Sequence, residues 1–236
     1  MNIGKLFLVP NIISDNTHLQ VIPPHVFHAL TSTQHFLAED IRTARRFLSS
    51  LKIYEKIEEL EFQVLDKDSK YENLRALFGP LFKGANMGII SEAGCPGVAD
   101  PGALAVKFAH ENDIQVVPLV GPSSILLALM ASGLNGQRFA FHGYLPIEPK
   151  DCARAIHDLE KESLQKNQTQ IIIETPYRNN HLKELLMKHL KNDTLLSIAQ
   201  DVTGQQESIR TYPIKKWKTI SINMPKIPAV FMFLSF

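Results

Sequence analysis

The chain has 236 residues, 44% hydrophobic and 21% charged, which excludes a disordered segment and suits two compact domains. Lys and Arg number 25 against 24 Asp and Glu, so the formal net charge of +1 gives no overall pull toward nucleic acid or a membrane surface. Two cysteines, Cys95 and Cys152, are too few for a disulfide framework, and no run approaches the ~20 apolar residues that span a bilayer. A reducing cytosol is the expected compartment, since the opening stretch has too short an apolar run for a signal peptide.

Apolar runs of strand length alternate with helical spacing along the chain. Lys5–Val9 and Phe36–Ala38 read as strands, with a short helix Pro23–Leu30 opening at its prolines between them. Ile41, Ala44, Phe47, Leu48 and Leu51 recur at helical spacing, as do Tyr71, Leu74, Leu77, Phe78, Leu81 and Phe82, with Gly84 as a C-cap. A strand Met87–Ser91 and a Gly/Pro loop follow. The next helix opens with Asp100 as N-cap and Pro101 in its first position, and a strand Ile114–Leu119 ends the first half.

The second half restarts at Gly121–Pro122–Ser123–Ser124, with a helix Ile125–Ala131 closed by Gly133. Phe139–His142 and Ile171–Glu174 read as strands. Pro149–Leu164 is helical, with Cys152, Ala155, Ile156, Leu159 and Ser163 on one face, and Thr175–Pro176 opens a helix carrying Leu182, Leu185 and Leu186. Leu195–Ala199, Ser208–Ile214 and Ala229–Ser235 are three further strands, partly antiparallel. Such alternation implies sheets covered by helices, and a boundary near residues 119–121 divides an N-terminal α/β domain, 1–119, from a C-terminal one, 120–236.

Two loops stand out. Ser91–Gly102, SEAGCPGVADPG, places three glycines and two prolines directly after a strand and before a helix. Ligands of open α/β sheets bind outside the carboxyl ends of strands, and glycines let backbone approach them closely. A tight connection without a ligand is the plainer alternative. Val120–Ser124, VGPSS, also leads into a helix, where it could take a carboxylate or phosphate or simply supply a serine cap. Glu39, Asp40 and Arg42 follow a strand and, on residues alone, read as a helix cap with a solvated acidic pair and a surface arginine. Glu174 and Arg178 stand equally as a structural ion pair or as site residues.

SEAGCPGVADPG, VVPLVGPSSILLALMASGL, FAFHGYLP, LAEDIRTARRFL and IIIETPYR, in this order apart from the fourth, which lies before the first, together resemble the SAM-dependent tetrapyrrole-methylase-like family. Within it the 16S rRNA ribose 2′-O-methyltransferases are the branch most similar. The resemblance runs from about Lys5 to Glu207. It implies two α/β domains with S-adenosylmethionine (SAM) in a cleft between them, and a homodimer. It also implies SAM contacts at Pro10, Gly94, Cys95, Val98, Ser123 and Ser124, largely through backbone. A sulfonium favours carbonyl oxygens, whereas the methionyl carboxylate favours helix-start N–H groups. The resemblance further places Glu39, Asp40 and Arg42 beside the transferred methyl as acceptor-positioning or proton-accepting groups, with Glu174 and Arg178 as site candidates.

Departures from the family pattern are local. The loop after the first strand, VPNIISDN, lacks a glycine, and Ala199–Glu207 carries Gln200, Asp201 and Gly204 where an Arg, a Glu and a Lys are usual. The helical extension that many members of the ribosomal branch carry does not follow the last strand. Lys215–Lys218 is basic around Trp217 and reads as a solvated turn with a partly buried indole rather than a nucleic-acid contact. No His/Cys spacing suits a metal, and neither a P-loop nor a dinucleotide fingerprint occurs. The expected activity is methyl transfer from SAM to a ribose 2′-hydroxyl of ribosomal RNA. The alternatives are methylation of a small tetrapyrrole-like metabolite and a SAM-binding module without catalysis.

Overall fold

A computed structural model describes residues 3–221 and 223–236 of the chain, which divides into a first unit, Met1–Ser123, and a second, Ser124–Phe236. In the first unit, β1 (Leu6–Val9), β2 (Thr33–Ala38), β3 (Glu61–Val64), β4 (Asn86–Ile90) and β5 (Val116–Pro118) form a wholly parallel sheet in the order β3-β2-β4-β1-β5. A parallel sheet must be covered on both faces. After the one-turn α1 (His18–Val21), Val26 and Leu30 of α2 (Pro24–Thr31) and Ala44, Phe47 and Leu48 of α3 (Ile41–Ser50) meet Phe7, Val9, Phe36 and Ala38 on one face. Leu6, Leu37, Met87 and Ile89 share the other with Leu74, Phe78, Leu81 and Phe108. The alternation of Leu6 with Phe7 and of Phe36 with Leu37 is the two-residue period of a strand.

The second unit holds a mixed sheet of β6 (Phe139–Phe141), β7 (Thr169–Glu174), β8 (Leu195–Gln200), β9 (Ser208–Pro213) and β10 (Ala229–Leu234), ordered β6-β7-β10-β8-β9. Only β6 and β7 pair in parallel. All six residues of β10 are buried, which suits a strand seated between β7 and β8 and explains its unbroken apolar run. Helices α8 (Pro149–Lys166) and α9 (Asn179–His189) contribute Cys152, Ile156, Leu182 and Leu186 to one face, and α7 (Ser124–Ser132) contributes Ala128 and Leu129 to the other.

Several elements differ from expectation. β3 gave no signal, because Glu-Phe-Gln-Val is a short edge strand with no fully buried residue. The expected helix over 71–82 is a 3₁₀ turn, Tyr71–Asn73, followed by α4 (Leu74–Leu77) and α5 (Gly79–Phe82). Pro80 cannot donate a backbone hydrogen bond, so the chain restarts at Gly79. α6 (Gly102–Glu111) begins after Pro101, with the Asp100 carboxylate accepting from Gly102 N–H at 2.8 Å. α9 begins at Asn179 and not at Thr175, because a turn with Arg178 N–H on Thr175 O precedes it. Trp217 is fully core, 3% exposed, and its indole N–H donates to Leu196 O at 2.7 Å. Two of the lysines beside it are also engaged locally: Lys216 lies over the Tyr212 ring and Lys215 pairs with Asp193.

Candidate active site

Register sets the site in the first unit. Val9 pairs with Ile90, Ile90 with Ala38, and Leu8 with Pro118, so Pro10, Glu39, Ser91 and Leu119 leave the sheet at one carboxyl edge. The neighbours β1 and β4 send their connections in opposite directions, β1 to β2 across β4 and β4 to β5 across β1. That reversal is where open α/β sheets leave a crevice for ligands.

Three loops meet there. Asn11 N–H donates to Gly94 O at 2.8 Å and Gly94 N–H to Asn11 O at 3.2 Å, a two-bond bridge between the loops after β1 and β4. The buried Asn11 side chain donates to Ser91 O and Glu92 O, each at 3.0 Å, and accepts from Ile12 N–H at 2.8 Å. The loop after β5 closes on both. A Cβ on Gly121 would lie 2.1 Å from Pro10 Cβ, and the Cys95 thiol donates to Pro122 O at 3.4 Å. Pro10, Gly94, Cys95 and Gly121 are therefore held by direct contact among themselves and Pro122. Asn11 is not singled out by the sequence, and Gly121 stands there only as part of the VGPSS loop. A polar residue one position beyond the proline that ends a buried strand was the available signal for Asn11.

The Ser91–Gly102 loop is shaped by its backbone. Gly94 and Gly97 have φ of +69° and +83°, and Ala99, at +60°, holds a left-handed conformation that side chains disfavour. Asp100 clamps the loop, accepting from Gly97 N–H at 2.6 Å as well as from Gly102 N–H. Burial raises the Asp100 carboxyl above its ordinary range, against the lowering effect of these two bonds. Nothing lies within 4 Å of where a Cβ on Gly97 would stand, and Val98 is half exposed. Open backbone of this kind fits a ligand read through N–H and C=O groups. Burial, and then the Asp100 charge, also raise the Cys95 thiol, which disfavours the thiolate that a nucleophile needs. Cys95→Ser keeps a donor for Pro122 O and is expected to leave SAM affinity within about threefold. Gly94→Val forces a β-branched residue into positive φ and is expected to weaken it far more, by a penalty of at least ~1–2 kcal/mol. Calorimetry on both variants checks the order, and a larger loss in Cys95→Ser would contradict backbone contact.

The acidic pair after β2 separates into two environments. Asp40 is the N-cap of α3, its Oδ1 accepting from Thr43 N–H at 2.7 Å, and that bond holds its carboxyl below the ordinary range. Glu39 is raised instead, first by burial and then by the charges of Glu92, Asp100 and Asp66. Arg42 is exposed on the first turn of α3. Asp40→Ala is expected to lower the melting temperature, with Asp40→Asn recovering most of the loss because it retains the capping oxygen. Since the folded pKa is depressed, this stabilisation is present above the unfolded carboxylate pKa and disappears as pH falls through the lower folded value. Melting curves from pH 3 to 7 test it; an equal deficit at all pH would contradict it. Beside this edge, α3 and the loop after β1 enclose a cavity of about 270 Å³ lined by Asn16, His18, Thr43, Arg46 and Glu92 among others.

In the second unit, Glu174 ends β7 with its side chain 1% exposed. Oε1 accepts from Thr175 N–H at 2.7 Å, and Oε2 faces Arg178 at 3.2 Å. The pair braces the turn into α9. Gln200 ends β8 opposite the same residue of β10, Ala229, that Glu174 faces. The Ala199–Glu207 departures are mutually consistent. Asp201 and Thr203 have positive φ, Asp201 Oδ2 accepts from Gln206 N–H at 2.8 Å, and a Cβ on Gly204 would lie 2.1 Å from Asp201 Oδ1. Asp201 folds back over Gly204, so a lysine there would displace it. Among the described residues no group of three or more His, Cys, Asp or Glu could hold a metal, and no helix is long and apolar enough to cross a membrane.

An α/β enzyme whose glycine-rich loops meet at a topological switch point is the class these features define. The chain belongs to the Tetrapyrrole (Corrin/Porphyrin) Methylases, whose sequence profile matches residues 18–217. It is a SAM-dependent methyltransferase. It is 30% identical over 212 residues, 90% of this chain and 71% of the relative, to "Ribosomal RNA small subunit methyltransferase I" of Haemophilus influenzae. The protein of the same name from Buchnera aphidicola is 29% identical over 207 residues, 88% of this chain and 69% of the relative. The fold is shared with the methyltransferase CobJ (TM-score 0.64, 13% identity, 98% of this chain and 94% of that one). It is shared too with uroporphyrin-III C-methyltransferase from Thermus thermophilus complexed with S-adenosylhomocysteine (TM-score 0.55, 16% identity, 98% of each chain).

Proposed function

We propose that the chain transfers a methyl group from SAM to a ribose 2′-hydroxyl of small-subunit ribosomal RNA. The observation that carries this reading is the breadth of the likeness to the ribosomal methyltransferases, 28% to 30% identity over 207 to 212 residues. Backbone of Pro10, Gly94, Cys95 and Val98 would hold the donor. SAM, when bound, supplies a methyl on a positively charged sulfur.

Glu39 serves as the proton acceptor. Its raised carboxyl gives a stronger base than a free glutamate, and Asp40 is committed to the cap. As the acceptor oxygen takes the methyl carbon, the carbon–sulfur bond would break with its electron pair left on sulfur, S-adenosylhomocysteine would leave, and the hydroxyl proton would pass to Glu39. Arg42, exposed one turn along, meets an RNA phosphate. Glu174 and Arg178 brace the turn into α9. The protein works in the cytosol as a homodimer, and light scattering should give about twice the 26.6 kDa chain mass. Calorimetry with SAM should find one site per chain. No heat and no thermal shift at millimolar SAM would overturn the reading at its first step.

A further inference from the structure

Tyr177 is 80% exposed, at the tip of the turn between β7 and α9. A single exposed aromatic is ordinary on a protein surface. The turn that carries this one is braced. Pro176 fixes the preceding φ, Arg178 N–H closes the turn on Thr175 O at 2.9 Å, and buried Glu174 grips both Thr175 N–H and the Arg178 guanidinium. The Lys226 ammonium lies 5.1 Å from the Tyr177 ring centroid.

Lys226 arrives on a segment pinned to the same turn. Asn179 Nδ2 donates to Ile227 O at 2.8 Å, Asn180 Nδ2 to Met224 O at 3.0 Å, and Met224 N–H returns to Asn180 Oδ1 at 2.9 Å. Lys226 is exposed and has no carboxylate partner within ion-pair distance among the described residues. An exposed ring on a braced turn, with an uncompensated cation against it, has the two components of single-stranded nucleic-acid binding.

We propose that Tyr177 and Lys226 form a stacking platform for an unpaired base of the RNA substrate, the ring taking the base and the ammonium the adjoining phosphate. This rests on the ribosomal RNA reading above. Because both segments are already braced, little ordering cost falls on binding. A protein partner is the less suited occupant, since the ring has a cation beside it and no wider apolar surface on the turn: its neighbours Thr175, Arg178 and Asn180 are polar.

The test uses the full chain, labelled SAM and small ribosomal subunits lacking the modification. Tyr177→Ala should raise KM for the subunit about tenfold, the lower part of the range for losing one base–aromatic stack, with SAM affinity and melting temperature unchanged. Tyr177→Phe should restore KM, and Lys226→Ala should flatten the salt dependence of binding by roughly one unit of slope. Tyr177→Trp should lose fluorescence on titration with a single-stranded oligoribonucleotide, and this measurement decides if Tyr177→Ala proves unstable. Wild-type transfer to the subunit with KM unmoved by Tyr177→Ala overturns the platform alone. A raised KM without quenching by RNA also overturns it, in favour of a ribosomal-protein contact. No wild-type transfer to the subunit removes the underlying reading.

Discussion

Gly121→Val is expected to weaken SAM binding about 100-fold, toward the upper end of what an overpacked contact costs. The reason is steric and local. A Cβ at Gly121 would stand 2.1 Å from Pro10 Cβ and 2.4 Å from its Cγ, and a proline ring cannot turn aside. The loops after β1 and β5 must part, taking Pro122 away from the Cys95 thiol. Gly121→Ala should lose nearly as much, because the first added carbon makes the clash. Gly136→Ala, with nothing within 4 Å of the added carbon, is the silent control. Calorimetry reads the outcome; affinity within threefold of wild type in Gly121→Val would mean these loops do not form the donor site.

Glu39→Gln is expected to lower kcat at least about 100-fold, the low end for a positioned proton acceptor, with SAM affinity within a few fold. The pH dependence gives a signature that capping or packing lacks. Burial, and then Glu92, Asp100 and Asp66, raise the Glu39 carboxyl, so the acid limb of kcat/KM should lie above the ordinary glutamate range. Glu92→Gln removes one raising charge and should move that limb to lower pH, short of the ordinary value because burial is the larger cause. Stability runs the other way from Asp40. A carboxyl raised by folding favours the fold at low pH, and that contribution is lost as pH rises through the folded value. Glu39→Gln should therefore melt higher than wild type at pH 7, with the gain vanishing below the unfolded glutamate pKa. Unchanged turnover would return Glu39 to the surface.

Much of the architecture was legible because periodicity reports burial. Leu37, Phe47, Ile171 and Phe231 stand in runs whose spacing follows from facing a helix or a sheet. β3 was not legible, since an edge strand with no buried side chain leaves no such pattern. The glycine loops declared themselves by composition. What composition could not supply was which carboxylate does what. Glu39 and Asp40 are neighbours in sequence, and only the Thr43 N–H at 2.7 Å separates the cap from the free carboxyl. Gly121 was visible as part of a loop, but its reason, a proline from 111 residues earlier pressed against it, lies in tertiary contact. Tyr177 stood in a recognisable motif, yet its exposure and the lysine from another segment were not readable there.

The most direct measurement is transfer of labelled methyl from SAM to small-subunit ribosomal RNA, followed by alkaline hydrolysis. A methylated 2′-hydroxyl cannot attack its phosphodiester, so the expected result is label in one alkali-resistant dinucleotide, appearing at least about 100-fold more slowly with Glu39→Gln. Label released as mononucleotides, or no label in RNA from subunits lacking the modification, would contradict ribose methylation.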